Sequence, residues 1–150
     1  MADLITPDLV DLELSATERG QATRSLAERL QAAGRVTDLE VFMADVRARE
    51  AQMPTGIEGG IGIPHCRSES VTEPTLAFGR SAQGIDWGAA DGPAHLIFLI
   101  GAPAGGGAEH MTILASLARR LIHASFREAL QQAPNPEAVV TLVKKEVLGQ

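Results

Sequence analysis

The run Gly56-Ile57-Glu58-Gly59-Gly60-Ile61-Gly62-Ile63-Pro64-His65-Cys66 constrains this chain more than any other stretch. Glycines admit backbone conformations closed to other residues and let a ligand come close. Ile61 and Ile63 alternate with small residues, the pattern of a short strand with one buried face. Pro64 fixes its own φ and pushes Ile63 to an extended conformation. His65 is therefore expected at a fixed place at the end of a strand, with little bulk around it. An imidazole presented this way suits a reacting group better than a core filler. From the residues alone, a strand-end histidine bonding a backbone group has equal weight.

Composition narrows the partners. The 150 residues suit a single domain, expected over 1–150, and no internal repeat or linker is visible. The net charge of −6 disfavours general binding to nucleic acid or to an anionic membrane, so any anion site must be local. The low aromatic content, with no tyrosine, argues against a stacking surface for bases. One cysteine excludes an internal disulfide and a cysteine-based zinc cage. No charged-then-apolar leader opens the sequence, and the longest apolar run, Ala94 to Ile100 broken by His95, is too short to span a bilayer. A soluble cytoplasmic protein is expected.

The elements follow from periodicity and caps. Val10, Leu12 and Leu14 alternate with acidic residues, as in a half-buried strand. Ser15-Ala16-Thr17-Glu18 fits a capping box opening a helix to about Ala33, with Leu26, Leu30 and Ala33 inward and Gly34 just past its end. Thr37-Asp38-Leu39-Glu40 fits a second box. Leu39, Phe42, Met43 and Val46 then give a helix to about Ala51. Arg49, in its last turn, suits the helix macrodipole. Thr75–Arg80 reads as a strand, Gly84–Gly88 as a turn with a short extended piece, and Ala94–Ile100 as a strand buried on both faces. A glycine-rich loop, 101–107, leads into a helix with Ile113, Leu114, Leu117, Leu121 and Ile122 inward. Ser125-Phe126-Arg127-Glu128 fits a third capping box, and Asn135-Pro136 an N-cap followed by a first-turn proline. Helices flanking strands, one of them apolar throughout, predict a three-layer α/β/α domain with a mixed sheet. Reactive groups in such folds gather at strand ends and helix starts.

Of the four histidines, His65 and His110 lie at junctions between loops and elements, where functional residues collect. For His110 the bare spacing favours an exposed side chain on a first helical turn, although a neutral imidazole there could donate to an anion. His95 and His123 read as structural. Cys66 is adjacent to His65, but neighbours on a strand point to opposite faces, so a Cys–His nucleophile pair is disfavoured. The histidines lack a metal-binding helical spacing, which makes a metal site a weak reading. The phosphate-cradling G-x-x-x-x-G-K-[ST] motif and the dinucleotide fingerprint are both missing.

With these residues in view, the chain resembles the enzyme IIA domain of the mannitol/fructose class of the sugar phosphotransferase system. The resemblance is carried by Ala33-Gly34-Arg35-Val36-Thr37-Asp38, by Arg49-Glu50 ahead of Thr55-Gly56-Ile57, and by Gly60-Ile61-Gly62-Ile63-Pro64-His65. Further on it rests on Gly84-Ile85-Asp86-Trp87, on His95 to Ile100, on Glu109-His110 with the helix after it, and on Phe126-Arg127-Glu128-Ala129-Leu130. It implies that His65 is the phosphorylated nucleophile and that His110 hydrogen-bonds the phosphoryl group. It also implies that Arg49 is the cation near the phosphate and that Thr55 lines the site. The implied donor is the histidine phosphocarrier protein, and the acceptor a cysteine of the IIB subunit, with the IIC permease reached only indirectly. No metal, cofactor or nucleotide is implied. A nitrogen-regulatory IIA protein, which signals by binding other proteins, and a histidine-based metal hydrolase are the readings weighed against it. Cys66 departs from the glycine usual after the reactive histidine. An acidic protein receiving an anionic group implies local basic charge and a largely apolar docking rim.

Overall fold

The computed structural model describes residues 3–105 and 107–149, without the side chains of residues 107–110. After a 3-10 turn at Pro7–Leu9, the chain runs through β1 (Val10–Asp11), α1 (Arg19–Ala32), α2 (Leu39–Gln52), β2 (Gly56–Ile57), β3 (Ile61–Gly62) and β4 (His65–Ser68). Next come β5 (Thr75–Ile85), β6 (Ala94–Pro103), α3 (Gly107–Leu121), α4 (Ala124–Gln132) and α5 (Pro136–Glu146).

The apolar run Leu96-Ile97-Phe98-Leu99-Ile100 becomes the middle of β6, and none of the five is more than 1% exposed. Such a strand must be covered on both faces, and it is. The six-stranded sheet has the order β1-β5-β6-β3-β2, with β4 also paired to β6. The β5–β6 and β2–β3 pairs are antiparallel; β1–β5, β3–β6 and β4–β6 are parallel, so the sheet is mixed. One face packs on α1 and α2: a Cβ at Gly79 would meet Leu14 and Leu26, and one at Gly101 would meet Phe42. The other face carries the Phe78–Phe98 ring contact at 4.9 Å, and Arg80, which reaches the carbonyls at the end of α4. The three-layer α/β/α architecture is thus as expected.

β3 and β4 are one strand interrupted by Ile63-Pro64. Ile61 pairs with Leu96 and His65 with Ile100, the same offset on both sides of the proline. Pro64 has no N–H to give to the ladder, yet its carbonyl still accepts from Ile100 at 3.0 Å. Gly59 and Gly60, at φ 100° and 79°, turn β2 back into β3 as only glycine does readily. His65 therefore opens β4 partway along an interrupted strand; it is not at the strand tip expected.

The caps are shifted in three places, two of them through bonds made from elsewhere in the fold. Ser15 does not cap α1, which starts at Arg19 with Glu18 as N-cap. The N–H of Leu14 is held by Arg80 O and its side chain is buried, so the chain stays extended beyond Ser15. Gln21 Oε1 instead accepts from the N–H of Thr17. Thr37 does not cap α2, because Ser70 O takes both its N–H and its hydroxyl; Asp38 accepts from Val41 N in its place. His123, not Ser125, is the N-cap of α4. The Asn135 cap and the first-turn Pro136 of α5 are as expected, with Asn135 Oδ1 accepting from Ala138 N at 2.9 Å. Ile122 falls just past α3 and is 75% exposed, not inward as its spacing predicted.

Candidate functional site

β4 pairs on one side only, so it is an edge strand, and α2 and α3 approach each other across that edge. Between them lies an open cleft of about 340 Å3. Its walls are Asp45, Ala48 and Arg49 from α2, and Met111 and Leu114 from α3. His65, Cys66 and Arg67 of β4 form its floor.

His65 is only 8% exposed, so the ring lies in the floor of the cleft and does not project from it. Its Nδ1 donates to the carbonyl of Ile63 at 2.8 Å. A carbonyl can only accept, so Nδ1 carries the proton and Nε2 keeps the lone pair. Burial is the main influence on the ring and pulls its pKa below the ordinary histidine value. The Ile63 carbonyl opposes this, the Arg49 charge adds to it, and Glu50 opposes it again. A neutral imidazole with a fixed tautomer is a competent nucleophile near pH 7.

Arg49 sits in the last turn of α2 and its guanidinium donates to Met53 O at 3.1 Å. This satisfies a carbonyl just past the helix end while keeping a planar cationic fork at the cleft. The structure brings Arg49 and His65 to one cleft from elements far apart in sequence. His110 lies in α3, one turn before Leu114, but its side chain is outside the described residues. Thr55 is buried behind the cleft instead of lining it. Its hydroxyl donates to Glu50 Oε1 at 2.6 Å and accepts from Trp87 Nε1 at 3.1 Å. Cys66 faces the α2 side, and burial, with Asp45 adding to it, pushes its thiol up to about 12. His95 is structural, with Nδ1 donating to Ser81 O at 2.9 Å.

Two residues that the sequence reading left out belong to the site. Arg67 is on β4, two residues from His65 and hence on the same face, and it lines the cleft. Glu50 carries the hydrogen bonds of Thr55. The signal for Glu50 was its place next to Arg49 and five residues before Thr55; for Arg67 it was the period of two from His65. Met111, 56% exposed, supplies apolar surface at the rim. Among the described residues, no group of three or more His, Cys, Asp or Glu side chains is placed to hold a metal ion. No helix among them is long and apolar enough to cross a membrane.

The chain belongs to the phosphoenolpyruvate-dependent sugar phosphotransferase system EIIA 2 family, whose model matches residues 3–146. Members of this family are phosphotransferases. The chain is 40% identical over 145 residues to the fructose-specific EIIA component of Haloferax volcanii, covering 95% of this chain and 94% of that protein. It is 32% identical over 146 residues to the fructose-specific EIIABC component of Bacillus subtilis, covering 97% of this chain and 23% of that longer protein. Among solved structures, the nitrogen regulatory protein IIA-Ntr of Neisseria meningitidis matches with a TM-score of 0.86 at 26% identity, over 93% of this chain and 96% of that one. The mannitol IIA of Escherichia coli shares the fold, with a TM-score of 0.79 at 24% identity over 93% of this chain and 98% of that one.

Proposed function

We propose that this chain is a phosphohistidine relay subunit of a fructose-class sugar uptake system, working in the cytoplasm. Nε2 of His65 attacks the phosphorus of a phosphohistidine on the histidine phosphocarrier protein. One N–P bond forms as the donor's N–P bond breaks. The phosphoryl group then passes to a cysteine thiolate of a IIB subunit, which hands it on to sugar bound by the IIC permease. The single observation that carries this reading is the imidazole of His65, its Nδ1 held by Ile63 O, in a cleft shared with Arg49. Phosphoryl transfer asks for in-line positioning and charge stabilisation more than for covalent help. The Arg49 guanidinium suits that role, with Arg67 as a second cation at the cleft. His110 is assigned to hydrogen-bond the phosphoryl oxygens. Thr55 acts from behind the site, through the strand that bears His65.

The test is labelling that depends on phosphoenolpyruvate, enzyme I and the phosphocarrier, followed by mapping of the modified residue. Label is expected on His65, and His65→Ala is expected to take none. His110→Ala should accept more slowly or hold the group less stably. Normal labelling of His65→Ala would overturn the assignment. A second reading, a nitrogen-regulatory type of IIA protein, is favoured by the high structural similarity to the Neisseria protein. Transfer from the labelled chain to the cysteine of a fructose-type IIB supports the first reading. No transfer, with binding to a regulatory target, supports the second.

A further inference from the structure

We propose that Glu50 is a positioning residue for His65, acting through a relay of four hydrogen bonds that fixes the strand carrying the imidazole. The inference rests on His65 being the reacting group. From the carboxylate outward, Glu50 Oε2 accepts the N–H of Thr55 at 2.7 Å and Oε1 accepts its hydroxyl at 2.6 Å. Thr55 is thereby held at both its backbone and its side chain. The carbonyl of Thr55 accepts the N–H of Ile63 at 3.1 Å. The carbonyl of the same Ile63 accepts from His65 Nδ1 at 2.8 Å. Ile63 lies in the interruption between β3 and β4, where Pro64 gives no N–H to the ladder. The peptide groups here are consequently oriented by Thr55, and Thr55 by Glu50.

The relay is itself braced. Arg19 Nη1 donates to Glu50 Oε2 at 3.1 Å, and its guanidinium carbon lies 5.8 Å from the centroid of the Trp87 ring. Trp87 Nε1 completes the loop by donating to Thr55 Oγ1. The Glu50 side chain is 12% exposed, so these bonds are made largely out of water, where each counts for more. The carboxylate receives three donors and gives none. Glutamine cannot do the same, because one of its two terminal atoms is itself a donor.

Charge is a second link between Glu50 and the ring. Among the described side chains, the charged groups around His65 are Asp45, Arg49 and Glu50 on α2 and Arg67 on β4. On α3, the described side chains facing the cleft, Met111 and Leu114, are apolar. Glu50 favours the imidazolium and Arg49 disfavours it. Removing the Glu50 charge takes away a carboxylate that favours the imidazolium and drives the ring further toward its neutral form.

The experiment uses the full chain with Glu50→Gln, and the pair Thr55→Val and Thr55→Ser. Nitrogen-15 spectra of the imidazole, followed against pH without phosphorylation, report tautomer and titration directly. In the wild type the Nδ1–H tautomer is expected. In Glu50→Gln the midpoint of the His65 titration should fall, with loss of the single fixed tautomer. Phosphocarrier-dependent labelling per folded molecule should slow by about 10- to 100-fold, the size of effect seen when a supporting hydrogen-bond partner is removed. Thr55→Val should slow labelling likewise, and Thr55→Ser, which keeps the hydroxyl, should restore it. If Glu50→Gln does not fold, the Thr55 pair carries the test. A folded Glu50→Gln with the wild-type tautomer, titration and labelling rate overturns the proposal, as does a Thr55→Val that labels like wild type. Failure of the wild type to label on His65 sinks the relay function instead, and the imidazole spectra still decide the role of Glu50.

Discussion

His65 shows how a residue proposed to react can also be buried. Its ring is stabilised neutral in the fold, whereas in the unfolded chain it takes up a proton near the ordinary histidine pKa of about 6.5. With the folded pKa lowered, the unfolded state binds more protons as pH falls through that range. Its contribution to stability is therefore complete above pH ~6.5 and is lost progressively below it, until the folded pKa is reached. Urea midpoints for wild type and His65→Gln at pH 7.5, 6 and 5 isolate this effect: the wild type should lose more stability on acidification than the variant. Equal losses would show that the ring is as easily protonated folded as unfolded. Cys66 behaves oppositely. Its thiol, pushed up to about 12 and only 5% exposed, should resist alkylation at pH 8 in the native protein, with a thiolate fraction roughly a thousandfold below that of an open thiol. Iodoacetamide labelling should be slow in buffer and prompt in urea, and fast native labelling would show that the thiol is open to solvent. The orientation of Cys66 was legible in the sequence, because alternation along a strand is local. The burial of His65 was not, since it depends on α2 and α3, whose approach to β4 no neighbouring residue encodes.

At the level of elements, local signals and long-range ones part company. The glycine-rich stretch, the doubly buried strand and the α5 cap could be read directly, because each depends on its own few residues. Thr37 looked like a helix cap by every local criterion, yet Ser70 claims its N–H and hydroxyl from across the fold. Ser15 failed for the same reason, once Leu14 was pinned to Arg80 O. Thr55, expected to line the site, stands behind it because its hydroxyl donates to Glu50 and accepts from Trp87. Gly62 carries a related lesson. A Cβ there would lie 2.6 Å from the Trp87 ring, which is fully buried and tied to Thr55. The ring has little room to give, so Gly62→Ala forces the strand and the indole apart. The expected cost is about 1–3 kcal/mol, as for overpacking a well-filled core. It should be read as a lower urea midpoint, accompanied by slower labelling of His65 because the Trp87–Thr55 bond is disturbed. A variant as stable and as active as wild type would mean that Trp87 moves freely, contrary to its packing.

The whole molecule separates the cleft proposed for the chemistry from the place where the layers are tied together. Arg80, on β5, sends Nη1 to the carbonyls of Leu130, Gln131 and Ala133 at 3.1, 2.8 and 3.0 Å, and Nε to Leu12 O at 3.4 Å. The last carbonyls of a helix have no partners within it, and a cation there also meets the negative end of the helix dipole. One guanidinium from the sheet thus closes the end of α4 and joins it to the segment after β1. In the register of the sheet Arg80 pairs with Leu96, while His65 pairs with Ile100, about 13 Å further along β6 at the usual rise per residue. Arg80→Met keeps most of the aliphatic stem and removes every donor, leaving the partly buried carbonyls of Leu130 and Ala133 without this partner. The expected loss is about 1–3 kcal/mol of global stability, the cost of removing a charged hydrogen-bond donor from partly buried carbonyls. Amide exchange should speed first in α4, where the tether ends. Labelling of His65 per folded molecule should stay at the wild-type rate, because the relay from Glu50 to Ile63 uses no part of this tether. If labelling falls together with stability after correction for the folded fraction, the two ends of the sheet are coupled, and the site depends on the packing of α4 as well as on α2 and β4.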